Sequence, residues 1–297
     1  MSSFLSAASQ QELRQKQKRK LLGTLGDGLK LSINAVTTYR WSFEEDVVRY
    51  SLAGIEAIGL WLPKLLEFGE ERAKEFLEEH GLSVSSLSWA GGFTGAFGHE
   101  LDEVLDETRD LIQLAGWLRA GSLVVVTGPK NNHLNKHANR LLVDSLKELA
   151  DEAAENDVIL SLQPMRPEFA RSWTFLHKLD HALEVLDRVN HPAVQLAFDT
   201  YHMGHEPGLL KRLPELVPHI GVLQVSDARS EDADEYDRVL PGEGILPVEA
   251  IVSGVIDAGY RGFVDYHIWS QDCWRSNDLS WLQRCRDNFG RLCPVGR

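Results

Sequence analysis

The chain has 297 residues, with 31 Lys and Arg against 44 Asp and Glu, so its formal net charge is −13. This acidity argues against a general nucleic-acid or membrane-surface binder, because attraction to phosphate needs basic patches. The length fits either two domains or one large α/β barrel. The three cysteines, Cys273, Cys285 and Cys293, include no C-x-x-C pair. They indicate reduced thiols, and we expect a cytoplasmic protein.

The first 28 residues differ in composition from the rest. They lack the apolar core of a signal peptide, and no run in the chain has the ~18 apolar residues of a membrane span. Between Gln10 and Lys20 the segment is polar and strongly basic. We expect an exposed tail or an extra helix over residues 1–28, and a single domain over residues 29–297.

From Leu29 onward, short β-rich runs alternate with longer stretches of helical periodicity. Ser42 and Glu45 predict a capping box at the start of the first helix. The predicted strands are 29–34, 55–61, 82–89, 122–127, 158–162, 194–198, 220–225 and 262–268. The predicted helices are 43–53, 70–80, 101–118, 138–156, 174–189, 208–217, 247–258 and 278–292. Eight such pairs predict a (β/α)8 TIM barrel, and a doubly wound sheet is disfavoured because no G-x-G-x-x-G follows the first strand.

Polar side chains lie at the ends of four successive late strands: Gln163, Asp199, Gln224 and His267. In a barrel these ends meet on one face, where the chemistry of such folds is located. A buried polar side chain costs a few kcal/mol unless it has a partner. Oxygen and imidazole ligands suit a divalent cation, so the pattern predicts a common site.

Four sequence segments resemble the xylose isomerase-like TIM barrels of the sugar phosphate isomerase/epimerase superfamily. They are FDTYHMGH at 198–205, IGVLQVSDAR at 220–229, DRVLPGEGILP at 237–247 and GYRGFVDYHIWS at 259–270. The resemblance covers residues 29–290. It implies a small carbohydrate substrate and one divalent metal, held by a Glu, an Asp, a His or Gln, and a second Glu. It also implies that the two Glu residues form the acid/base pair.

Carried over by position, the implied metal ligands are only partly present. Asp199 matches the Asp ligand and Gln224 the third ligand. Gln163 and His267 stand where the family has its two Glu residues, so both acid/base carboxylates are replaced. His202 matches a histidine that lies near the metal and the substrate in the family.

Gln163 is also a candidate for substrate binding, since it is expected to line the pocket, and five further residues join it. Arg238 matches an arginine that contacts substrate oxygens or phosphate, and Arg166 stands where a histidine is common. Lys130 offers positive charge at the end of the fourth strand. Trp61 and Trp89 end the second and third strands and suit the apolar wall of a sugar pocket.

The replacements leave two alternatives open. Glutamine cannot accept and return a proton, whereas histidine can, so an active isomerase or epimerase would use His267 or His202, or a carboxylate such as Asp227 or Glu168. The other alternative is a catalytically impaired barrel that binds a sugar-like ligand without turnover. One divalent metal, Zn²⁺ or Mn²⁺ for example, would be held less tightly than in the family, and a metal-free site is equally open. A DNA-repair nuclease of the same fold is disfavoured by the acidity, and a homo-oligomer remains open.

Overall fold

The computed structural model describes residues 28–95, 98–231, 234, 236–275 and 279–294. Eight parallel strands close into a barrel in the order β1-β10-β7-β6-β5-β4-β3-β2, and β8 and β9 form a separate antiparallel pair. The strands are β1 (Lys30–Asn34), β2 (Ala57–Trp61), β3 (Ser83–Gly91), β4 (Leu123–Val126), β5 (Leu160–Leu162), β6 (Val194–Asp199), β7 (Ile220–Val225), β8 (Asp227–Ala228), β9 (Arg238–Val239) and β10 (Phe263–Tyr266). The predicted (β/α)8 fold is confirmed.

Helices surround the barrel, so the strands are covered on both faces. β4 reads LVVV and all four residues are buried, as expected for a strand between a filled barrel interior and an outer helical layer. The helices are α1 (Phe43–Leu52), α2 (Leu62–Phe68), α3 (Glu70–Glu79), α4 (Leu101–Trp117), α5 (Asn135–Glu155), α6 (Leu179–Val189), α7 (Thr200–Met203), α8 (Leu209–Leu216), α9 (Val248–Asp257), α10 (Gln271–Arg275) and α11 (Ser280–Leu292).

Local signals in the sequence place several of these elements correctly. The capping box is formed as predicted, since Ser42 accepts the Glu45 backbone N–H and Glu45 accepts that of Ser42. The three cysteines are free, as predicted, and all three are buried. In the part of the chain that the structure covers, no helix is long and apolar enough to cross a bilayer.

The predicted helix 174–189 is wrong at its start, because it begins only at Leu179. Thr174 is held in extended backbone by a bridge to Gly128, and its hydroxyl accepts the N–H of Leu176. A short 3₁₀ helix, Pro167–Arg171, lies before it. The predicted tail at residues 1–28 lies, apart from Gly28, outside the described residues.

The loop after β7 is built around one carboxylate. Asp227 accepts four backbone N–H groups, at 2.8–3.1 Å, from residues on both sides of the hairpin formed by β8 and β9. The donors are Ala228, Gly242, Gly244 and Leu246. Gly244 has no room for a Cβ, which would overlap the Ala228 carbonyl and the Asp227 carboxylate. This arrangement fixes the position of β9, which begins with Arg238.

Candidate functional site

The carboxyl ends of β5, β6, β7 and β10 bring the four predicted polar side chains to one end of the barrel. Gln163 follows β5, Asp199 ends β6, Gln224 lies in β7 and His267 follows β10. All four are at most 1% exposed. Asp199 and Gln224 are paired in register, and the four side chains form two hydrogen-bonded pairs, Gln163 with Gln224 and Asp199 with His267.

Arg238 reaches into this cluster from β9 and binds the carboxylate. One guanidinium nitrogen donates to Asp199 Oδ2 at 3.1 Å, and the other donates to His202 Nε2 at 3.2 Å. The guanidinium also lies over the Tyr201 ring, with Cζ 4.0 Å from the ring centroid. Arg238 is 3% exposed, so this is a buried ion pair rather than a surface contact.

Asp199 and His267 form a carboxylate–imidazole pair whose tautomer is fixed by a neighbour. His267 Nδ1 lies 3.2 Å from Asp199 Oδ2, and Trp269 Nε1 lies 3.0 Å from His267 Nε2. An indole N–H only donates, so Nε2 carries the lone pair and Nδ1 carries the hydrogen that is donated to Asp199. The imidazole is therefore neutral, with its basic nitrogen turned toward Trp269.

The charges of the cluster keep Asp199 ionised and His202 neutral. Burial works against ionisation of Asp199, but the Arg238 guanidinium and the hydrogen bond from His267 hold the pKa of this carboxyl below its usual range. Burial lowers the pKa of His202 well below its usual value; Asp199 opposes this shift and Arg238 adds to it. The cluster consists of one anion, one cation and neutral imidazole and amide groups.

A chain of donors fixes the two amides. Trp89 Nε1 donates to Gln163 Oε1 at 3.0 Å, and Gln163 Nε2 donates to Gln224 Oε1 at 3.0 Å. Because the indole only donates, the orientation of Gln163 follows, and then that of Gln224. The register of β3 with β4 shifts between Ser88 and Ala90, which places Trp89 at this irregularity.

Aromatic side chains close the mouth of the barrel above the cluster. The remaining cavity is about 20 Å³, which holds about one water molecule and no sugar. Trp89 contacts both Trp173 and Trp269, with ring centroids 5.0 and 5.9 Å apart. The cavity is lined by Trp89, Met165, Phe169, Trp173, His202, Arg238, His267 and Trp269.

The structure does not bring Trp61, Lys130 or Arg166 into the cluster. The Trp61 ring contacts Tyr39, 5.2 Å away. Lys130 donates to Asn135 at an exposed position. Arg166 lies 5.3 Å from the Tyr201 ring and 3.6 Å from the Glu168 carboxylate.

Neither alternative carboxylate borders the cavity. The carboxylate of Glu168 is 64% exposed and lies beside Arg166. Asp227 is occupied by its four backbone donors; burial raises the pKa of this carboxyl although those donors lower it. Both residues therefore serve local structure in this arrangement.

Sequence reasoning missed two important side chains. Trp269 is not among the predicted site residues, although its position two residues after His267 is a usable signal. Asp265 was missed altogether, because it lies within an apolar strand. It is fully buried and accepts hydrogen bonds from Ser32 at 2.8 Å and Asn34 at 3.0 Å.

The donor set does not fit the divalent metal that the family resemblance implies. Asp199 Oδ1 accepts the Tyr201 N–H, and Oδ2 is shared by Arg238 and His267. The amide oxygens of Gln163 and Gln224 also accept N–H groups. Within the described ranges, no group of three His, Cys, Asp or Glu side chains is arranged to hold a metal ion.

A comparison with known protein families identifies the family of this barrel. The xylose isomerase-like TIM barrel model matches residues 47–285. The chain belongs to this family. A curated relative from Streptomyces coelicolor, named "Putative hydroxypyruvate isomerase", is 25% identical over 255 residues, which are 77% of this chain and 86% of that protein. The chain spans about half the length of the first curated relatives that it matches.

Solved structures show the same barrel. The protein SMc04130 from Sinorhizobium meliloti is 25% identical, with a TM-score of 0.83 over 89% of this chain and 98% of that one. The IolI protein, solved with a bound zinc atom, is 19% identical, with a TM-score of 0.79 over 89% and 97% of the two chains. The second likeness concerns the fold alone. This xylose isomerase-like barrel thus shares its architecture with a zinc-binding protein, while an arginine occupies the centre of its own cluster.

Proposed function

We propose that this xylose isomerase-like barrel is an isomerase or epimerase that moves a proton on a carbon next to the carbonyl of a small hydroxy-carbonyl compound. The observation that carries the proposal is the Asp199–His267 pair, which presents a neutral imidazole nitrogen at the cavity. A base of this type needs a lone pair and a partner for the charge that it acquires, and the pair provides both.

In the proposed reaction, His267 Nε2 takes the proton from the carbon next to the carbonyl. The electron pair of the broken C–H bond forms the C=C bond of an enediolate, and the former carbonyl oxygen carries the negative charge. Asp199 then stabilises the imidazolium through Nδ1–H, as the aspartate of a catalytic triad does for its histidine. Return of the proton to the former carbonyl carbon isomerises the substrate, with the hydroxyl proton passing from the neighbouring oxygen to the charged oxygen as the new carbonyl forms. Epimerisation requires return of a proton to the opposite face of the same carbon, and therefore a second proton donor facing His267.

The first candidate substrates are small hydroxy-carbonyl compounds. The described cavity of about 20 Å³ must enlarge before any substrate binds, and Trp269 is the side chain that covers the base. The name of the Streptomyces relative points to hydroxypyruvate, a three-carbon hydroxy-carbonyl acid, as a compound of suitable size. Hydroxypyruvate and short keto-sugars are therefore the first compounds to test.

A second candidate is binding of a sugar-like ligand without turnover. It is favoured by Gln163, a group that cannot transfer protons, at a position where the family implies an acid/base glutamate. It is also favoured by the Trp269 N–H, which already occupies the lone pair of His267. Both candidates use the same cavity, so they differ only in whether a C–H bond is broken.

Hydrogen exchange separates the two candidates. The protein is incubated in D₂O with hydroxypyruvate and a panel of keto-sugars, and deuterium incorporation is followed by NMR. We expect exchange with at least one compound and a loss of 10²-fold or more in His267→Gln, because general-base catalysis contributes about 10²–10⁴ in rate. The control is His137→Gln, a half-buried histidine of α5 that does not line the cavity. Ligand binding without exchange would support the second candidate instead.

A further inference from the structure

We infer that the guanidinium of Arg238 is the resident cation of this site and takes the place of the divalent metal used elsewhere in the family. The role of Arg238 in catalysis rests on the proposed function. The claim that Arg238 takes the place of a bound metal, which is the binding part of the inference, does not depend on that function. The guanidinium contacts Asp199 and His202 directly and lies 3.5 Å from His267 Nδ1. These are three of the residues that the family pattern would turn toward a metal.

The charges of the cluster are balanced without a metal. Asp199 is the one anion among the residues that form the cluster, and Arg238 neutralises it at 3.1 Å. A divalent ion at the same place would add two positive charges beside a buried guanidinium. Such a charge is strongly unfavourable in a buried site unless anions compensate it.

Arg238 is held rigidly, so it is not a surface side chain that has folded inward. Its backbone N–H donates to the Trp269 carbonyl at 3.0 Å. Its strand β9 pairs with β8, where Asp227 binds four backbone N–H groups. Its guanidinium stacks on Tyr201. The cation is thus placed by the fold itself.

The unpartnered groups of the site also indicate a ligand other than a metal. Three buried nitrogen atoms have no hydrogen-bond partner among the described residues: Arg238 Nε, His202 Nδ1 and Gln224 Nε2. Because His202 Nε2 accepts from Arg238, its Nδ1 carries a hydrogen, so all three atoms are donors. Donors are satisfied by oxygen acceptors and not by a cation. The site is therefore suited to a ligand rich in carbonyl, hydroxyl or carboxylate oxygens.

In catalysis, the guanidinium would stabilise the oxygen that becomes negative when His267 removes the proton. Fixed cationic donors that face a developing oxyanion in a buried site lower the barrier without reorganisation. The substrate class that follows is a small hydroxy-carbonyl compound with adjacent oxygens, a hydroxy-keto acid included. Its carboxylate would also find a bidentate partner in an arginine.

Metal titration tests the binding part. Zn²⁺ and Mn²⁺ are titrated by calorimetry into the full chain that has been treated with EDTA and dialysed. We expect no stoichiometric binding to the unaltered protein. We expect one Zn²⁺ per chain in Arg238→Ala, because that change leaves a buried carboxylate without its cation, and the two imidazoles 3.2 and 3.9 Å away can turn into the space that the guanidinium leaves. Arg229→Ala, in the same loop, is the control and should bind none. One Zn²⁺ per chain in the unaltered protein, lost in Asp199→Asn, would overturn the inference.

If Arg238→Ala does not fold, Arg238→Lys is used in its place, since it keeps a cation at the site. The titration of the unaltered protein still decides whether the site binds a metal ion. The results that would reject the proposed function differ from those that would overturn the inference. Exchange that EDTA abolishes and Zn²⁺ or Mn²⁺ restores would overturn the inference and leave the isomerase proposal standing. Absence of both exchange and metal binding in the unaltered protein, with Zn²⁺ bound by Arg238→Ala, would support the inference and reject the isomerase.

Discussion

The indole N–H of Trp269 donates to Nε2 of His267 at 3.0 Å and so covers the lone pair that a base at this site would use. Trp269 is half-buried and contacts the rings of Trp89 and Trp274. A substrate must therefore displace this indole before proton transfer begins. The bond holds the resting site closed and sets the tautomer of His267.

We predict that Trp269→Phe raises the rate of exchange with small substrates. The change removes one hydrogen bond of about 0.5–1.5 kcal/mol from the closed state, which corresponds to roughly a twofold to tenfold increase in kcat/KM. The rate is measured by deuterium incorporation, with Trp281→Phe in α11 as the control. A decrease in Trp269→Phe would show that the indole orients the substrate instead of blocking it.

We predict that Asp199→Asn lowers the free energy of unfolding by about 3–5 kcal/mol, because it leaves the buried Arg238 guanidinium without its anion. Urea denaturation measures the effect. Asp272→Asn is the control: its ion pair with Arg229 is solvent-exposed, and exposed pairs contribute less than about 1 kcal/mol. Equal losses in the two variants would argue against a buried ion pair at the site.

The hairpin loop gives a third prediction. Asp227→Asn replaces a carboxylate oxygen that accepts the N–H groups of Gly242 and Gly244 with an amide donor. We expect a loss of about 2–3 kcal/mol in stability and a lower exchange rate, because Arg238 is positioned by this loop. Asp237→Asn, an exposed change in the same loop, should alter neither quantity strongly. Full exchange activity in Asp227→Asn would show that this loop does not control the position of Arg238 in the site.

A buried ion pair outside the site makes the free energy of unfolding depend on pH. Asp46 and Lys64 lie 2.7 Å apart, and burial raises the pKa of Asp46 to about 7 in spite of Lys64. The folded state then binds more protons than the unfolded state between pH 4 and 7. The contribution of Asp46 to stability is present below pH 4 and is lost as the pH rises through 7.

We therefore predict that the free energy of unfolding falls from pH 4 to 7, relative to the double variant Asp46→Asn with Lys64→Met, by a few kcal/mol. Each unit by which the pKa of Asp46 differs between the folded and unfolded states corresponds to about 1.4 kcal/mol in the free energy of unfolding. The measurement is urea denaturation across this range, with Asp144→Asn on the exposed face of α5 as control. Parallel curves for the unaltered protein and the double variant would contradict the prediction.

Much of the fold follows from the sequence because its signals are local. The apolar run that forms β4 and the Ser42 capping box depend on neighbours in the chain, and both are confirmed. The meeting of Asp199 and His267 also follows, since parallel strands carry their ends to one face. Helix 174–189 failed at its start because the pairing of Thr174 with Gly128 is not local.

The position of Arg238 could not be read from its own segment. That position depends on the hairpin and on Asp227, which binds backbone groups up to 19 residues away. An arginine in a Gly- and Pro-rich loop has the same local pattern whether it faces water or the barrel. The role of Asp265 could not be predicted for a related reason, because its strand is apolar and its partners lie at the other end of the chain.

Asp265 has a consequence for how the barrel closes. β10 is the last strand, and it joins β1 in a register that sets Ser32 against Asp265. A slip of one residue would turn the carboxylate away from Ser32 and Asn34 and leave it among apolar helices without donors. The first and last strands of the barrel, β1 and β10, are therefore held in register by these side-chain hydrogen bonds as well as by backbone pairing. On its other side, β10 pairs with β7 and β7 pairs with β6, and these registers bring His267 level with Asp199. The strand that closes the barrel is therefore also the strand that carries the imidazole of the site.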